Sequence, residues 1–379
     1  MRVSQKKYSQ SEGWALVHDD GVDAASCQLV LAFGSRQLLE NSSLCKEICD
    51  DYPNATVVFS STAGEIIDIL VLDDSISLTA IQFEHTQIKS AITNIHDEEN
   101  SFAAGKRIAS LFELDGLVNL LVLSDGQLVN GSNLVSGLQS ALPRNILITG
   151  GLAGDGASFK STLVGIGLPL IEGSIVAIGF YGQRLKITCG SFGGWDPFGP
   201  ERLITKSLDN VLFELDNRPV LDIYKRYLGE YASELPSSGL LFPLAIRTNQ
   251  MEVPLVRTIL AIDETTNSLT FAGNMPEGSY ARMMKANLGR LIEGAAHAAQ
   301  NSLEGTSTQP NLAILISCVG RKLVLGQHVE EEIEAISNIY GKGTRLAGFY
   351  SYGEISPSSA STTCELHNQT MTITTFTEY

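Results

Sequence analysis

The stretch TVVFSSTAGEI, residues 56–66, passes from apolar residues into a glycine, an acid and an isoleucine. Residues 345–355, RLAGFYSYGEI, repeat this arrangement, and residues 146–156, ILITGGLAGDG, give a third version with an aspartate. Short apolar runs bounded by glycine are typical of buried strands. Glycine also permits the backbone bend that other residues resist at the end of a strand. The sequence therefore predicts three equivalent strands, each followed by a glycine and an acid, namely Glu65, Asp155 and Glu354.

Each of these strands follows an earlier apolar run and a helical segment. The earlier runs are LVLAF at 29–33, LLVL at 120–123 and AILI at 313–316. The helical segments end near residue 51 and span about 131–142 and 329–340. A strand, a crossover helix and a second strand form a βαβ unit, whose strands are parallel. We therefore predict an α/β protein of two mixed α/β domains, with repeated βαβ units and parallel-strand sheets.

The three acids have two possible roles at this place in a sheet. Open α/β sheets bind ligands beyond the carboxyl ends of their strands, where Glu65, Asp155 and Glu354 would lie. Acids in turns also act structurally, by accepting hydrogen bonds from nearby backbone N–H groups. Repetition fits both roles, because repeated units share structural devices as well as sites.

The length of 379 residues favours two domains. Residues 1–26 would form an N-terminal extension and residues 27–215 the first domain. A turn near residue 216 would open the second domain, residues 216–379. Between the second and third repeated units we expect β-rich stretches, followed by a long helix from about Ser279 to Leu303, and at the end of the chain a half-exposed strand.

Composition and charge limit the partners of the chain. With 42 acidic and 26 basic residues the formal net charge is −16, which disfavours nucleic acid and anionic membrane surfaces as partners. The apolar stretch 161–183 is interrupted by proline and glycine, so we predict two buried strands there rather than a membrane span. The start of the chain lacks the apolar core of a secretory signal. We therefore expect a soluble cytoplasmic protein whose six cysteines are reduced thiols.

Several motifs typical of catalytic and binding proteins are absent from the sequence or lack their usual context. The GGLAGDG stretch does not open a helix after its strand, as a dinucleotide fingerprint requires, and no GxxxxGK[ST] phosphate loop occurs. Cys318 is the best placed nucleophile, because a helix N-terminus in the third unit would lower its pKa. A small buried residue that fills a tight turn is the alternative role of this cysteine.

Two histidines are candidate metal ligands. His297 lies between pairs of alanines on the long helix, where small neighbours would admit a flat cofactor. The helical phase places it off the apolar face. His367 lies in a polar cluster before the last strand.

Taken together, the motifs resemble those of FIST proteins. STAGEI, GGLAGDG, SCVGRKLVLG, EEEIEAI, GFYSYGEISP and LHNQTMTIT occur in the order seen in that family, from about Cys27 to Thr377. The resemblance implies an N-terminal and a C-terminal FIST domain that act as an input module of bacterial signalling and bind small ligands such as amino acids. A chain with these two domains alone also resembles the NosP group, which binds haem, senses nitric oxide and regulates a partner histidine kinase.

We therefore expect a non-enzymatic cytoplasmic sensor of a two-component system, with haem as cofactor and nitric oxide as signal. Its expected ligand-binding residues are Glu65, Asp155, Glu354, Tyr352 and Cys318, and its expected iron ligands are His367 and His297. One alternative is an amino-acid or metabolite sensor, in which Glu65 and Asp155 pair with a ligand ammonium group. The other is an enzyme that uses Cys318 with a histidine for acyl transfer or hydrolysis.

Overall fold

The structure is a computed structural model that describes residues 1–235, 237–248, 254–306, 308–357 and 363–379. Its strands form four sheets. Three of these sheets have six strands and share one plan, and the fourth is inserted into the third unit.

The first unit has a parallel pair of strands in its sheet, in which Leu29 lies opposite Thr56. The helices follow the first strand of that pair, and Asn41 caps the longer one by accepting from the N–H groups of Ser43 and Leu44. The elements are β1 (Arg2–Ser9), β2 (Gly13–Asp19), β3 (Leu29–Gly34), α1 (Arg36–Leu39), α2 (Ser42–Asp51), β4 (Thr56–Ser61), β5 (Glu65–Ile67), β6 (Leu70–Leu72) and β7 (Ser75–Gln82).

The second unit repeats this order, with Leu147 opposite Asn119 in its parallel pair. Asn130 caps the crossover helix through the N–H group of Asn133. The elements are β8 (Gln87–Asn94), α3 (Ser101–Ala109), β9 (Leu117–Ser124), α4 (Gly131–Ala141), β10 (Leu147–Leu152), β11 (Val164–Ile166) and β12 (Ser174–Tyr181).

The third unit begins with β13 (Leu185–Phe192) and is then interrupted by the insertion. The insertion has its own apolar core, which includes Leu212, Tyr224 and Phe271. Its elements are β14 (Asp196–Leu208), β15 (Val211–Leu215), β16 (Arg218–Pro219), α5 (Val220–Leu228), β17 (Leu244–Arg247), β18 (Leu255–Arg257), β19 (Ile259–Asp263), β20 (Ser268–Phe271) and β21 (Tyr280–Lys285).

The third unit resumes after the insertion, and Leu312 lies opposite Arg345 in its parallel pair. The elements are α6 (Leu288–Ser302), β22 (Leu312–Cys318), α7 (Val319–Leu325), α8 (Val329–Tyr340), β23 (Arg345–Ser351), β24 (Gly353–Pro357), β25 (Cys364–His367) and β26 (Met371–Glu378). The mixed α/β class and the three βαβ units are thereby confirmed, with one parallel pair in each of the three sheets.

The three units exchange strands in a ring. A short strand that contains or follows each acid leaves its own unit and pairs with the second parallel strand of another. Thus β5 pairs with β23, β24 pairs with β10, and β11 pairs with β4. The first sheet is therefore completed by the second unit, the second sheet by the third unit, and the third sheet by the first.

The three sheets share a central core, and the helices cover their other faces. In β22, Ile314 and Ile316 join a central cluster with residues of the other two units, while Ala313 and Leu315 pack in the cluster that contains Ile333 of α8. This alternation is the period of two that a strand imposes. Because both faces are covered, the strands of the parallel pairs are apolar almost without interruption.

Two local predictions were wrong. The helix predicted from residue 279 begins at Leu288, and residues 280–285 form β21, whose ladder with β14 and β17 overrides helical propensity. The final strand is buried along seven of its eight residues instead of half-exposed, because it lies between β13 and β22 and is covered on both faces. The alternation of threonines in this strand suggested a solvent face that does not exist.

The division predicted at residue 216 falls between β15 and β16, inside the inserted sheet. The third sheet contains β13 from before this position and β22–β26 from after it. The boundary stays a prediction. Among the described residues, no helix is both long and apolar enough to cross a membrane.

A buried ion pair fixes the helices of the third unit. Arg321 of α7 and Glu332 of α8 are both fully buried, with Nη2 2.7 Å from Oε2. The other carboxylate oxygen, Oε1, accepts from the hydroxyls of Ser317 and Tyr350. Removing one partner of such a pair leaves an uncompensated buried charge.

We expect Arg321→Met to lower the free energy of unfolding by about 3–5 kcal/mol, because the buried carboxyl of Glu332 then loses its ion-pair partner. The double variant with Glu332→Gln should regain at least half of that loss, since the amide still accepts from Tyr350. Urea denaturation of both variants measures this. A matched control is Arg345→Met, which breaks the surface pair with Asp20 and should cost at most about 1 kcal/mol. A double variant no more stable than the single one would contradict the assignment.

Candidate functional site

A cavity of about 600 Å³ lies between the inserted sheet and the third unit. Its walls come from the end of β13, the following Gly193–Gly194 segment, the start of β14, strands β17, β18 and β21, helix α6 and the β25–β26 turn. The lining residues are Ser191, Phe192, Gly193, Gly194, Trp195, Pro197, Glu201, Ala245, Arg247, Pro254, Leu255, Val256, Arg282, Met284, Arg290, Glu293, His297, His367 and Thr370.

Contacts of Gly194 and Trp195 hold this wall of the cavity against the neighbouring elements. The indole Nε1 of Trp195 donates to the carbonyl of Gln369 at 2.8 Å, which ties the wall after β13 to the β25–β26 turn. Gly194 has φ +88°, and a Cβ there would lie 2.2 Å from the carbonyl oxygen of Arg290. Glycine at this position therefore permits the close approach of this wall to α6.

Three arginines and two glutamates give the cavity its charge. Arg247 makes a bidentate pair with Glu201 at 2.7 and 2.5 Å. Arg282 donates its Nε to the carbonyl of Gly199, and Arg290 pairs with Asp196. The hydrogen bond and charge of Arg247 lower the pKa of Glu201 below its ordinary value. The lining therefore offers both apolar surface and charged groups.

Both predicted iron ligands, His297 and His367, line this cavity. The His297 ring is exposed and packs edge-on against Phe192, with ring centroids 5.0 Å apart. His367 is buried, and its Nε2 donates to the carbonyl of Ser356 at 3.0 Å. Burial lowers the pKa of His367 to about 4, so its imidazole is neutral at neutral pH. A role in binding iron stays a prediction for both.

Glu354 lies behind the cavity wall. Its carboxylate is fully buried and accepts from the Ser351 hydroxyl at 2.9 Å and from the hydroxyl and N–H of Thr370 at 2.8 and 3.2 Å. Thr370 lines the cavity, whereas Glu354 is absent from the lining. Glu354 therefore does not line the cavity itself, but its hydrogen bonds help to hold Thr370 in the cavity wall.

Glu65 and Asp155 line a separate, smaller crevice of about 280 Å³ between the first and second units. The two oxygens of Glu65 accept at 2.5 Å from the hydroxyls of Thr62 and Ser75. Asp155 accepts from three backbone N–H groups, at residues 159, 160 and 161, and from the hydroxyl of Tyr352. Every oxygen of these two carboxyls is thus already a hydrogen-bond acceptor within the protein.

Cys318 is 1% exposed at the end of β22. Burial raises the pKa of its thiol, with Glu354 adding to the effect, whereas a nucleophilic cysteine requires a lowered pKa. Tyr352 is also buried, and its ring stacks on Phe159 with centroids 4.5 Å apart. Among the described residues, no group of three or more histidines, cysteines or acids could hold a metal ion.

Sequence reasoning missed the charged and aromatic residues of the cavity, especially Trp195, Glu201 and Arg247. They come from different strands and meet only through the folding of the insertion onto the third unit. One local signal was present, the stretch SFGGWDPFG at residues 191–199, whose glycines and aromatics suit a bend at a binding wall.

The buried glutamates predict a dependence of stability on pH. Burial raises the pKa of Glu65 and of Glu354 to about 8, against about 4.3 for an unperturbed glutamate. Between these values the folded protein keeps protons that the unfolded chain releases, so stability falls as pH rises from about 4.3 to 8. Glu354→Gln should reduce this fall, because the neutral amide has no proton to lose and can keep the bonds to Ser351 and Thr370.

Urea denaturation at pH 5, 6, 7 and 8 measures this slope. The matched control is Glu12→Gln, at an exposed glutamate, which should leave the slope unchanged. An unaltered slope in Glu354→Gln would show that this carboxyl ionises normally in the folded protein.

Two known proteins are similar to parts or all of this chain. The uncharacterised protein MJ1623 of Methanocaldococcus jannaschii is 24% identical over 239 residues, which are 55% of this chain and 45% of that protein. The chain therefore matches less than half the length of this relative. Among solved structures, a cyanuric acid hydrolase from A. caulinodans is similar with a TM-score of 0.35 and 8% identity, over 94% of this chain and 91% of that one. At this TM-score and identity, the similarity supports no conclusion about the fold or function of this chain.

Family models match nearly the whole chain. Residues 28–218 match the FIST N domain, and residues 221–357 match the FIST C domain. FIST domains are sensor domains of signal transduction that bind small ligands. The order of the two matches is the order that the sequence motifs predicted. The chain belongs to the FIST family.

Proposed function

We propose that this protein is a cytoplasmic sensor of bacterial signalling and that the 600 Å³ cavity is its input site. The observation that carries the proposal is the cavity itself, which combines a largely apolar lining with a few charged groups. Its volume lies in the range of about 300–1,000 Å³ that small-molecule sites occupy. It also lies between the inserted sheet and the third unit, where strands of the insertion meet α6.

Haem is the proposed ligand, because the lining residues fit its chemistry. Phe192, Trp195 and Val256 offer apolar surface to a flat ring, and the arginines suit carboxylate side groups. Haem iron supplies a coordination site for nitric oxide when it is bound.

His297 is the better candidate for the axial ligand. Its ring makes no hydrogen bond to any other described residue, so either nitrogen is available. His367 instead uses Nε2 to donate to the Ser356 carbonyl. That hydrogen bond leaves Nδ1 as the unprotonated nitrogen of His367.

Regulation of a partner histidine kinase requires a connection from the cavity to the surface. Arg321 supplies one, because its guanidinium donates to the carbonyls of Gly193 and Leu291 beside the cavity and to Glu332 of α8. The outer face of α8 is exposed and acidic, with Glu330, Glu331 and Glu334. We infer that ligand binding alters the Gly193 segment and α6, and that Arg321 transmits the change to this helix.

An amino acid or related metabolite is the second candidate ligand. The same lining carries Arg247 and Arg282 beside Glu201 and Glu293, so it offers partners for a carboxylate and for an ammonium group. This pairing differs from the one first expected at Glu65 and Asp155, whose oxygens are occupied within the protein. The cysteine-dependent enzyme is less well supported, because Cys318 is buried and its pKa is raised.

The haem proposal is tested by absorption spectra of the protein supplied with hemin, in the oxidised, reduced and nitric-oxide-treated forms. We expect a Soret band that shifts in each state and that His297→Ala weakens or displaces. His367→Ala tests the other ligand, and His96→Ala, outside the cavity, is the control. A protein that stays colourless with stoichiometric hemin would contradict the haem proposal. Thermal unfolding with a panel of amino acids would then test the second candidate, since a bound ligand raises the melting temperature.

A further inference from the structure

Arg247 ends β17 on the wall of the cavity, with a guanidinium that is only partly paired. Its Nε and Nη2 donate to the two oxygens of Glu201, and its guanidinium lies 5.3 Å from the centre of the Tyr280 ring. These contacts fix the plane of the group. The third nitrogen, Nη1, is buried and has no hydrogen-bond partner among the described residues.

A buried donor on a charged group is rarely left without an acceptor, because its lost hydration is then not replaced. Nη1 is out of reach of water in this structure, and Arg247 contributes to the cavity lining, so a bound molecule would contact Nη1 after a small shift of the guanidinium. The two hydrogens of Nη1 therefore point to an acceptor that arrives with a ligand.

The charge of the lining favours an anion as that acceptor. Arg290 is already paired with Asp196, whereas Arg247 and Arg282 both lie near Glu201. Arg282 lies close enough to Glu201 to lower the pKa of that carboxyl, so two guanidiniums share one glutamate. The remaining lining includes Trp195, Val256 and Met284, which suit an apolar body.

We propose that the cavity takes amphipathic molecules with an apolar body and one anionic group, and that Nη1 of Arg247 binds the anion. This rests on the proposed function, because it takes the cavity to be the input site, but it does not depend on haem. Glu201 is a positioning residue, which holds the plane of Arg247 and also limits the affinity for anions through its own charge.

The test uses two dyes that share an apolar body, the anionic 8-anilinonaphthalene-1-sulfonate and the neutral N-phenyl-1-naphthylamine. The chain has two tryptophans, and Trp195 lines the cavity. In a Trp14→Phe background, quenching of the remaining tryptophan therefore reports dye bound in the cavity. Titrations give the dissociation constant of each dye for the background protein and for its variants.

Arg247→Gln should weaken binding of the anionic dye roughly tenfold or more, because a charged hydrogen bond is lost. The neutral dye should bind within about twofold of the background affinity, since it makes no such bond. Glu201→Gln should act in the opposite direction and tighten the anionic dye, because it removes a negative charge while still accepting from Arg247. Arg144→Gln, at an exposed arginine, controls for the change in net charge.

The anion site would be overturned if the dissociation constants of both dyes changed equally, or if neither variant changed them. Either outcome would leave the cavity as the input site. If Arg247→Gln does not fold, Glu201→Gln alone decides, through the sign of its effect on the anionic dye. Absence of tryptophan quenching by either dye would overturn the cavity as input site and this inference together. The two failures are therefore distinguishable.

Discussion

The exchange of strands between units is the constraint on which the rest of the structure depends. Each parallel pair is completed by a segment from another unit, so the loss of any one unit would leave one of the strands β4, β10 and β23 without its partner. Unpaired backbone groups at a buried edge are costly, which makes the folding of the three units interdependent. The repeated glycine and acid lie where the chain passes from one unit to the next. Gly154, for example, has no room for a Cβ, which would lie 2.8 Å from the backbone nitrogen of Ala63 in the first unit.

This constraint explains why two of the repeated acids are buried carboxyls rather than exposed ligand-binding groups. Glu65 and Glu354 each accept from a hydroxyl three residues earlier, on Thr62 and Ser351, and from a hydroxyl on the segment that returns to the sheet. Open α/β sheets bind ligands at the carboxyl ends of their parallel strands, and here the residues after β3 and β4 line the smaller crevice. The cavity forms instead where the insertion interrupts the third unit, and Glu354 reaches it through Thr370.

The sequence predicts the βαβ units well because each is specified locally. Apolar runs of strand length alternate with helical segments, and asparagine caps at Asn41 and Asn130 begin two of the helices. The exchange itself has no local signal, since β5 and β11 are three residues each and pair with strands far away in sequence. The strand β21 was not predicted for the same reason. Residues 280–285 favour a helix locally, but their pairing with the distant strands β14 and β17 makes them a strand. For the site, His297 and His367 could be identified from the sequence as candidate iron ligands because of their residue type. That they line one cavity depends on how the insertion packs on the third unit.

Arg321 connects the wall of the cavity to helix α8 of the third unit. Arg321 is fully buried, so its five N–H hydrogens need acceptors inside the protein, and it finds them on the Gly193 segment, on α6 and on Glu332. A movement of the cavity wall therefore cannot leave Arg321 in place without breaking a charged hydrogen bond in the core. The same carboxylate also accepts from Tyr350 of β23, the strand that pairs with β5 of the first unit. A change in the cavity is thus coupled, through a single buried ion pair, to the strand exchange that holds the units together.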